Sequence, residues 1–208
     1  LHNIDCLKNI SNQKIQNIIN DCEGNHMYYQ NSIIEILEKC LIDNELNIID
    51  LLKNPTLKCI ENIIALLSNI INNVLNIDKF NKYPELKNYI LHKSQELIEI
   101  YKKDILIYIY FLIDTEKSYI WTESNDFKLK YKNINLLDDN FLNDIKILIQ
   151  SYFTTLIVSF ENLIPKIIMS EIIKKIQKNL FHSLMSNIKE DDILKLLKES
   201  DIIHNKRT

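Results

Sequence analysis

The chain has 208 residues, 46% of them hydrophobic and 25% charged, with a formal net charge of -3. That length and balance describe one large folded domain or two small ones with a sizeable core, and exclude a disordered tail. Acids and lysines are interspersed, so the basic footprint of a nucleic-acid binder is missing and no nucleic-acid partner is expected.

The apolar periodicity is helical nearly everywhere. Ile10, Ile15, Ile18, Ile19 and Cys22 predict a short first helix that stops at Gly24, where a helix most readily turns left-handed, with residues 25–30 a loop. A second helix is expected from Ser32, an N-cap with Glu35 three residues on, running through Ile33, Ile36, Leu37 and Leu41 towards Asn54. Pro55 either kinks it or opens a new segment as a first-turn residue. The pattern resumes through Leu57, Ile60, Ile64, Leu67, Ile71, Val74 and Leu75 and breaks near Tyr83 and Pro84. Residues 84–121 read as one helix without internal Gly or Pro, a rod of about 57 Å. A polar connection, SNDFKLKYKNINLLDD, leads to a further long helix from Asn140. Its positions Ile145, Ile149, Tyr152, Leu156, Phe160, Leu163 and Ile167 step by four and three, as a bundle seam does. A short helix over 191–203 closes the chain. These elements predict an all-α fold, an elongated antiparallel four-helix bundle with a short C-terminal helix.

The composition is skewed, with 40 Ile, 26 Asn and 24 Lys against one Ala, one Gly and one Arg. This skew follows the codons of an AT-rich genome, so Asn-richness is no functional signal. A single glycine excludes phosphate-cradling and dinucleotide-binding loops within the chain, because these need several residues free to take positive φ. Cys6, Cys22, Cys40 and Cys59 form no CxxC pair and have no His at zinc spacing, so they read as free thiols in a reducing compartment. The chain shows no signal peptide, and its first residue, Leu, leads us to expect a piece of a longer protein.

Two helices carry more apolar surface than one bundle face needs. The run ILIYIYFLI leaves residues 105–113 apolar all round, and Ile157, Ile164, Ile168, Ile172 and Ile176 form a second set beside the main seam of the later helix. Either another chain covers this surplus, the favoured reading, or codon bias has made the surface greasy.

Specific motifs point the same way. LIDTEKSYIWTESNDF (112–127) resembles the end of the long stalk helix of the dynamin superfamily, where LIDxExxYxNTxxxDF is typical. NPTLKCIENII (54–64) and KYPELK (82–87) are similar to that family's middle region. SYFTTLIVSFENLIPKIIM (151–169) and LLKESDIIHNKR (196–207) are similar to its GTPase effector domain. The order and spacing match from about Gly24 onward. Asn162 stands where the family usually has Asp, and Trp121 replaces the usual Asn.

The resemblance implies a dynamin-type stalk, with residues 1–127 as middle-region helices and 140–208 as the effector helix and C-terminal helix. Residues 128–139 would be a connecting loop where the family carries an insert or a lipid-binding domain. The stalk itself would do no chemistry and need no cofactor; GTP and Mg would belong to a GTPase domain outside this chain. It would form homodimers and higher homo-oligomers on organelle or vesicle membranes in the cytoplasm, and so take part in membrane remodelling or fission. Matched positions place the oligomer interface at Tyr108, Leu112, Ser170, Ile173, Lys174 and Gln177. A second assembly loop would include Gly24, Asn25, His26 and Met27, although the family's HGIRTG pattern is replaced there by EGNHMY. The alternative function is a helical adaptor that binds a partner protein's amphipathic helix.

The remaining polar features have bland readings. Lys128, Lys130 and Lys132 in KLKYK either touch anionic lipid or belong to a solvated linker, the reading favoured for a short charge run. His92 and His182 lack a second ligand at i+4, so no metal site is expected. Glu35, Glu38, Glu45, Asp138 and Asp139 read as solvated faces and caps, and no catalytic residues can be assembled.

Overall fold

A computed structural model describes residue 6 and residues 11–23, 29–43, 45–134, 140–186, 188 and 190–199, excepting the side chains of 23, 29–32, 190 and 191. Every regular element among them is helical, as the periodicity predicts. Helix α1 (Asn12–Glu23) opens where the Ser11 carbonyl accepts the N–H groups of Lys14 and Ile15. Helix α2 (Tyr29–Ile42) starts three residues before the expected N-cap at Ser32 and ends well short of Asn54. It ends early because Asp43 folds the chain back. The Asp43 Oδ1 accepts the N–H groups of Glu45 and Leu46, each at 2.9 Å, and Asn47 follows with φ 49°. Asp and Asn favour this local turn and left-handed backbone.

A 3-10 turn (Ile49–Leu52) leads into α3 (Lys53–Leu75), which places Pro55 in a first turn, where its missing N–H costs no helical bond. After the four-residue helix α4 (Asp78–Asn81), α5 covers Pro84–Ser118, three residues less than expected. The supposed connection after it is helical in part: α6 spans Asn125–Lys132, capped by Ser124, whose Oγ accepts the Phe127 N–H at 3.5 Å. Residues 135–139, including Asp138 and Asp139, lie outside the described residues.

Helix α7 (Phe141–Ile167) contains Pro165, which removes one backbone donor. Three residues later the helix widens into a π-helical stretch, Ile168–Lys174, then resumes as α8 (Lys175–Met185). Helix α9 covers Glu190–Leu196; the expected extension to 203 falls largely outside the described residues.

The chain divides into two compact units, residues 1–56 with 109–164, and residues 57–108 with 165–208. In the first, α1 and α2 pack together through Ile15, Ile19, Cys22, Ile36, Leu37 and Cys40, all buried. Lys14 of α1 meets Asp43 at 3.1 Å and also Glu45, and Lys117 of α5 meets Asp50 at 2.5 Å. Helix α6 docks on α7: the buried Ser151 hydroxyl donates to Asp126 at 2.7 Å, and Phe127 sets its ring edge to Tyr152 at 5.8 Å. This docking explains why a segment of weak helical pattern is helical.

In the second unit α5 and α8 run antiparallel. Tyr89 Oη donates to the Leu184 carbonyl at 2.8 Å, and Asn179 Nδ2 donates to Tyr101 Oη at 2.6 Å. Lys175 lies over the Tyr101 ring at 5.6 Å, and Lys82 meets Glu199 at 3.1 Å. The core here comprises Ile60, Ile64, Leu97, Ile98, Ile105, Ile168 and Ile172.

Candidate self-association surface

The run ILIYIYFLI divides its apolar side chains between two faces of α5. Ile105, Ile109 and Ile113 are buried, each a step of four from the last. Ile107 and Phe111 are 69% and 64% exposed. At about 100° per residue, Ile100 and Ile107 stand about 220° and 200° round from Ile105, all three in the second unit, whereas Phe111 belongs to the first. The outward face of the second unit's part of α5 therefore holds two large exposed apolar groups, Ile100 and Ile107. Tyr110 is also exposed, with Lys53 over its ring at 4.7 Å.

The matched positions Tyr108 and Leu112 lie on the flank between these faces. Tyr108 is 49% exposed and Leu112 half-buried. They share one side of α5 at i, i+4, but Tyr108 falls in the second unit and Leu112 in the first.

The other matched positions, Ser170, Ile173, Lys174 and Gln177, occupy the π-helical stretch and the first turn of α8. Ser170, Lys174 and Gln177 are exposed and Ile173 half-buried. The Ser170 hydroxyl donates to the Ile167 carbonyl at 3.2 Å, and Lys175 pairs with Glu171 at 2.6 Å. That ammonium holds the Glu171 carboxyl below its usual range. Phe181, 71% exposed, extends the face one turn beyond Gln177. Sequence reasoning passed over it, although its i+4 spacing from Gln177 was visible.

The second apolar set on the later helix requires correction. Ile157, Ile164, Ile168, Ile172 and Ile176 are all buried within the chain, so they are core and not surplus surface. Exposed apolar groups lie instead on α5 and on α3, where Leu66, Ile70 and Val74 are 57%, 57% and 48% exposed.

Elsewhere, Gly24, Asn25, His26 and Met27 lie outside the described residues. Lys128, Lys130 and Lys132 sit on α6, not in a loop; Lys128 pairs with Glu123, Lys130 with Asp126 at 2.7 Å, and Lys132 is exposed. His92 faces Glu96 at 3.5 Å on an exposed surface, and His182 is exposed. No cluster of His, Cys, Asp or Glu suited to a metal ion occurs among the described residues, and no helix among them is long and apolar enough to cross a membrane.

The dynamin central region matches residues 1–136, and the dynamin GTPase effector domain matches residues 138–208. Comparison with individual curated proteins finds no match. Neither matched region is a GTPase domain. With the central region alone covering well over half its length, the chain belongs to the dynamin superfamily, of which it carries the stalk and effector regions.

Proposed function

We propose that the chain is a self-assembly stalk in the form of an antiparallel helical bundle. Its dimerisation and oligomerisation would couple GTP hydrolysis, by a domain outside this chain, to remodelling or fission of a membrane. The observation that carries the proposal is the outward face of α5 in the second unit, where Ile100 and Ile107 are exposed together in a chain of this family. A stable interface covers about 800 Å² on each partner, and large aromatic and aliphatic groups at its centre supply most of the binding energy. The face formed by Ser170, Lys174, Gln177 and Phe181 is the second surface assigned to the contact. Membrane association of the parent protein belongs to the same proposal, with Lys132 the most available of the three lysines on α6.

Sedimentation velocity over a range of concentrations tests the reading. The unsubstituted chain is expected to associate, and Ile107→Asp to leave a folded monomer, because its exposed side chain can be replaced without opening the core. Ile173→Asp should act in the same direction, though its half-buried side chain also costs stability. A concentration-independent monomer for the unsubstituted chain sinks the dimer reading, and is what the adaptor alternative requires.

A further inference from the structure

We infer that the first unit carries a site for a quaternary ammonium group, the trimethylammonium head of a choline compound, between α2, the segment after α5, α6 and α7. The cavity has a volume of about 140 Å³ and is half open to solvent. A space of about 150 Å³ holds one benzene ring, and a trimethylammonium head is smaller, so it enters whole. Half of the eight lining residues are aromatic, Trp121, Phe127, Tyr131 and Tyr152, against 9% of the chain. This concentration of rings selects the ligand. The negative faces of several rings attract a cation whose methyl groups also suit apolar walls, while the open side leaves the rest of the molecule in water.

The rings are held in place by one another. Phe127 and Tyr131, four apart on α6, stack at 6.4 Å, and Phe127 meets Tyr152 at 69°. No described basic residue lines the cavity, and Lys128 and Lys130 of α6 are paired with Glu123 and Asp126. Negative charge is supplied by Glu116, one turn before the lining residue Ile120. Its half-buried carboxyl makes no hydrogen bond or ion pair with a described residue. Burial, and after it the Glu116 charge, push the Tyr152 phenol up, so the carboxylate lies within electrostatic reach of the cavity. A primary ammonium entering this space would give up hydrogen bonds to water that the ring faces cannot replace. A quaternary one has no N–H group to satisfy, and is therefore preferred over a lysine or ethanolamine head.

The only tryptophan in the chain lines the site, so its emission reports on binding. Choline chloride, titrated into the intact chain at constant ionic strength, is expected to give a saturable change in Trp121 emission with a dissociation constant on the order of 1 mM. The neutral isostere of choline, in which carbon replaces the nitrogen, should bind about tenfold more weakly. Glu116→Gln should weaken choline about threefold and Tyr131→Leu about fivefold, each leaving the isostere unchanged and the helical circular dichroism intact. Phosphatidylcholine vesicles separate the sources of the group. Capture of the chain that free choline reverses assigns a lipid headgroup, and choline binding without capture assigns a free choline compound. A response to choline that does not saturate overturns the inference. So does an isostere that binds as tightly as choline, or a choline affinity unchanged in both folded variants. Self-association is read separately, by sedimentation, and stands or falls independently of this result.

Discussion

Replacing Tyr152 by Phe should stabilise the chain. The ring is fully enclosed and touches Phe127 edge-on at 5.8 Å, and Phe keeps all of that packing. Only the hydroxyl is lost, and among the described residues no group meets hydrogen-bond geometry with it, the Trp121 backbone N–H lying towards it without doing so. Burying a hydroxyl without compensation costs about 1–3 kcal/mol in proteins, so relief of roughly 1 kcal/mol is expected after the oxygen's own dispersion contacts are subtracted. For a chain of this length that raises Tm by about 2–4 °C. Burial first, and then the charge of Glu116, push the Tyr152 phenol from 10.0 up to about 12. A folded-state value above the unfolded one means that this group's contribution to stability is fully present below pH 10 and is lost as pH rises towards 12. The difference in Tm between the two proteins should therefore widen across that window, in favour of Phe. Thermal melts followed by circular dichroism, at neutral pH and in steps from pH 9 upward, measure both effects. A Tm for Tyr152→Phe that is lower by several degrees at neutral pH would show that the hydroxyl is satisfied, and would refute the reasoning.

Two further predictions concern the same unit. Ser151→Ala should loosen α6, raising amide exchange across residues 125–132 roughly fivefold through loss of the buried hydroxyl bond to Asp126. The Lys130 ammonium and then the Ser151 hydroxyl hold the Asp126 carboxyl below its ordinary 3.8, so its contribution is present above that pH and lost as pH falls through the folded value; acid should therefore mimic the substitution. Of the four cysteines only Cys59 is exposed, whereas Cys6, Cys22 and Cys40 are buried and burial pushes the Cys40 thiol up to about 12. A disulfide reagent at neutral pH should modify one thiol at once and three only on denaturation, and rapid modification of Cys22 or Cys40 would contradict the packing of α1 on α2.

The long helices were legible because isoleucine, however favoured by codon supply, still falls at helical spacing where a core must be filled. What a single sequence withholds is phase. In ILIYIYFLI no polar residue marks the outward side, so the stripe Ile105, Ile109, Ile113 could not be told from Ile107 and Phe111 until the flanking contacts at Tyr101 and Lys117 fixed the rotation. Helix α6 was missed for a different reason. Its apolar residues Phe127, Leu129 and Tyr131 alternate as in a strand, and its helix is held by Ser151 and Tyr152, partners more than 20 residues away that no local window contains.

The misreading of the second apolar set has its own physical cause. In an α-helix a step of four residues gains about 40°, so the steps from Ile164 through Ile168 and Ile172 to Ile176 should drift by about 120° and carry the last of them away from the core. All four are nevertheless buried. The π-helical stretch from Ile168 to Lys174 resolves this, since a turn closed by i→i+5 bonds holds more than four residues and turns the drift back. Pro165, which withholds one N–H just before the stretch, marks where the ordinary ladder gives way. The same widened turn leaves Ser170 and Lys174 outside while Ile168 and Ile172 stay in, so the core register and the outward face of this segment are set by one backbone irregularity.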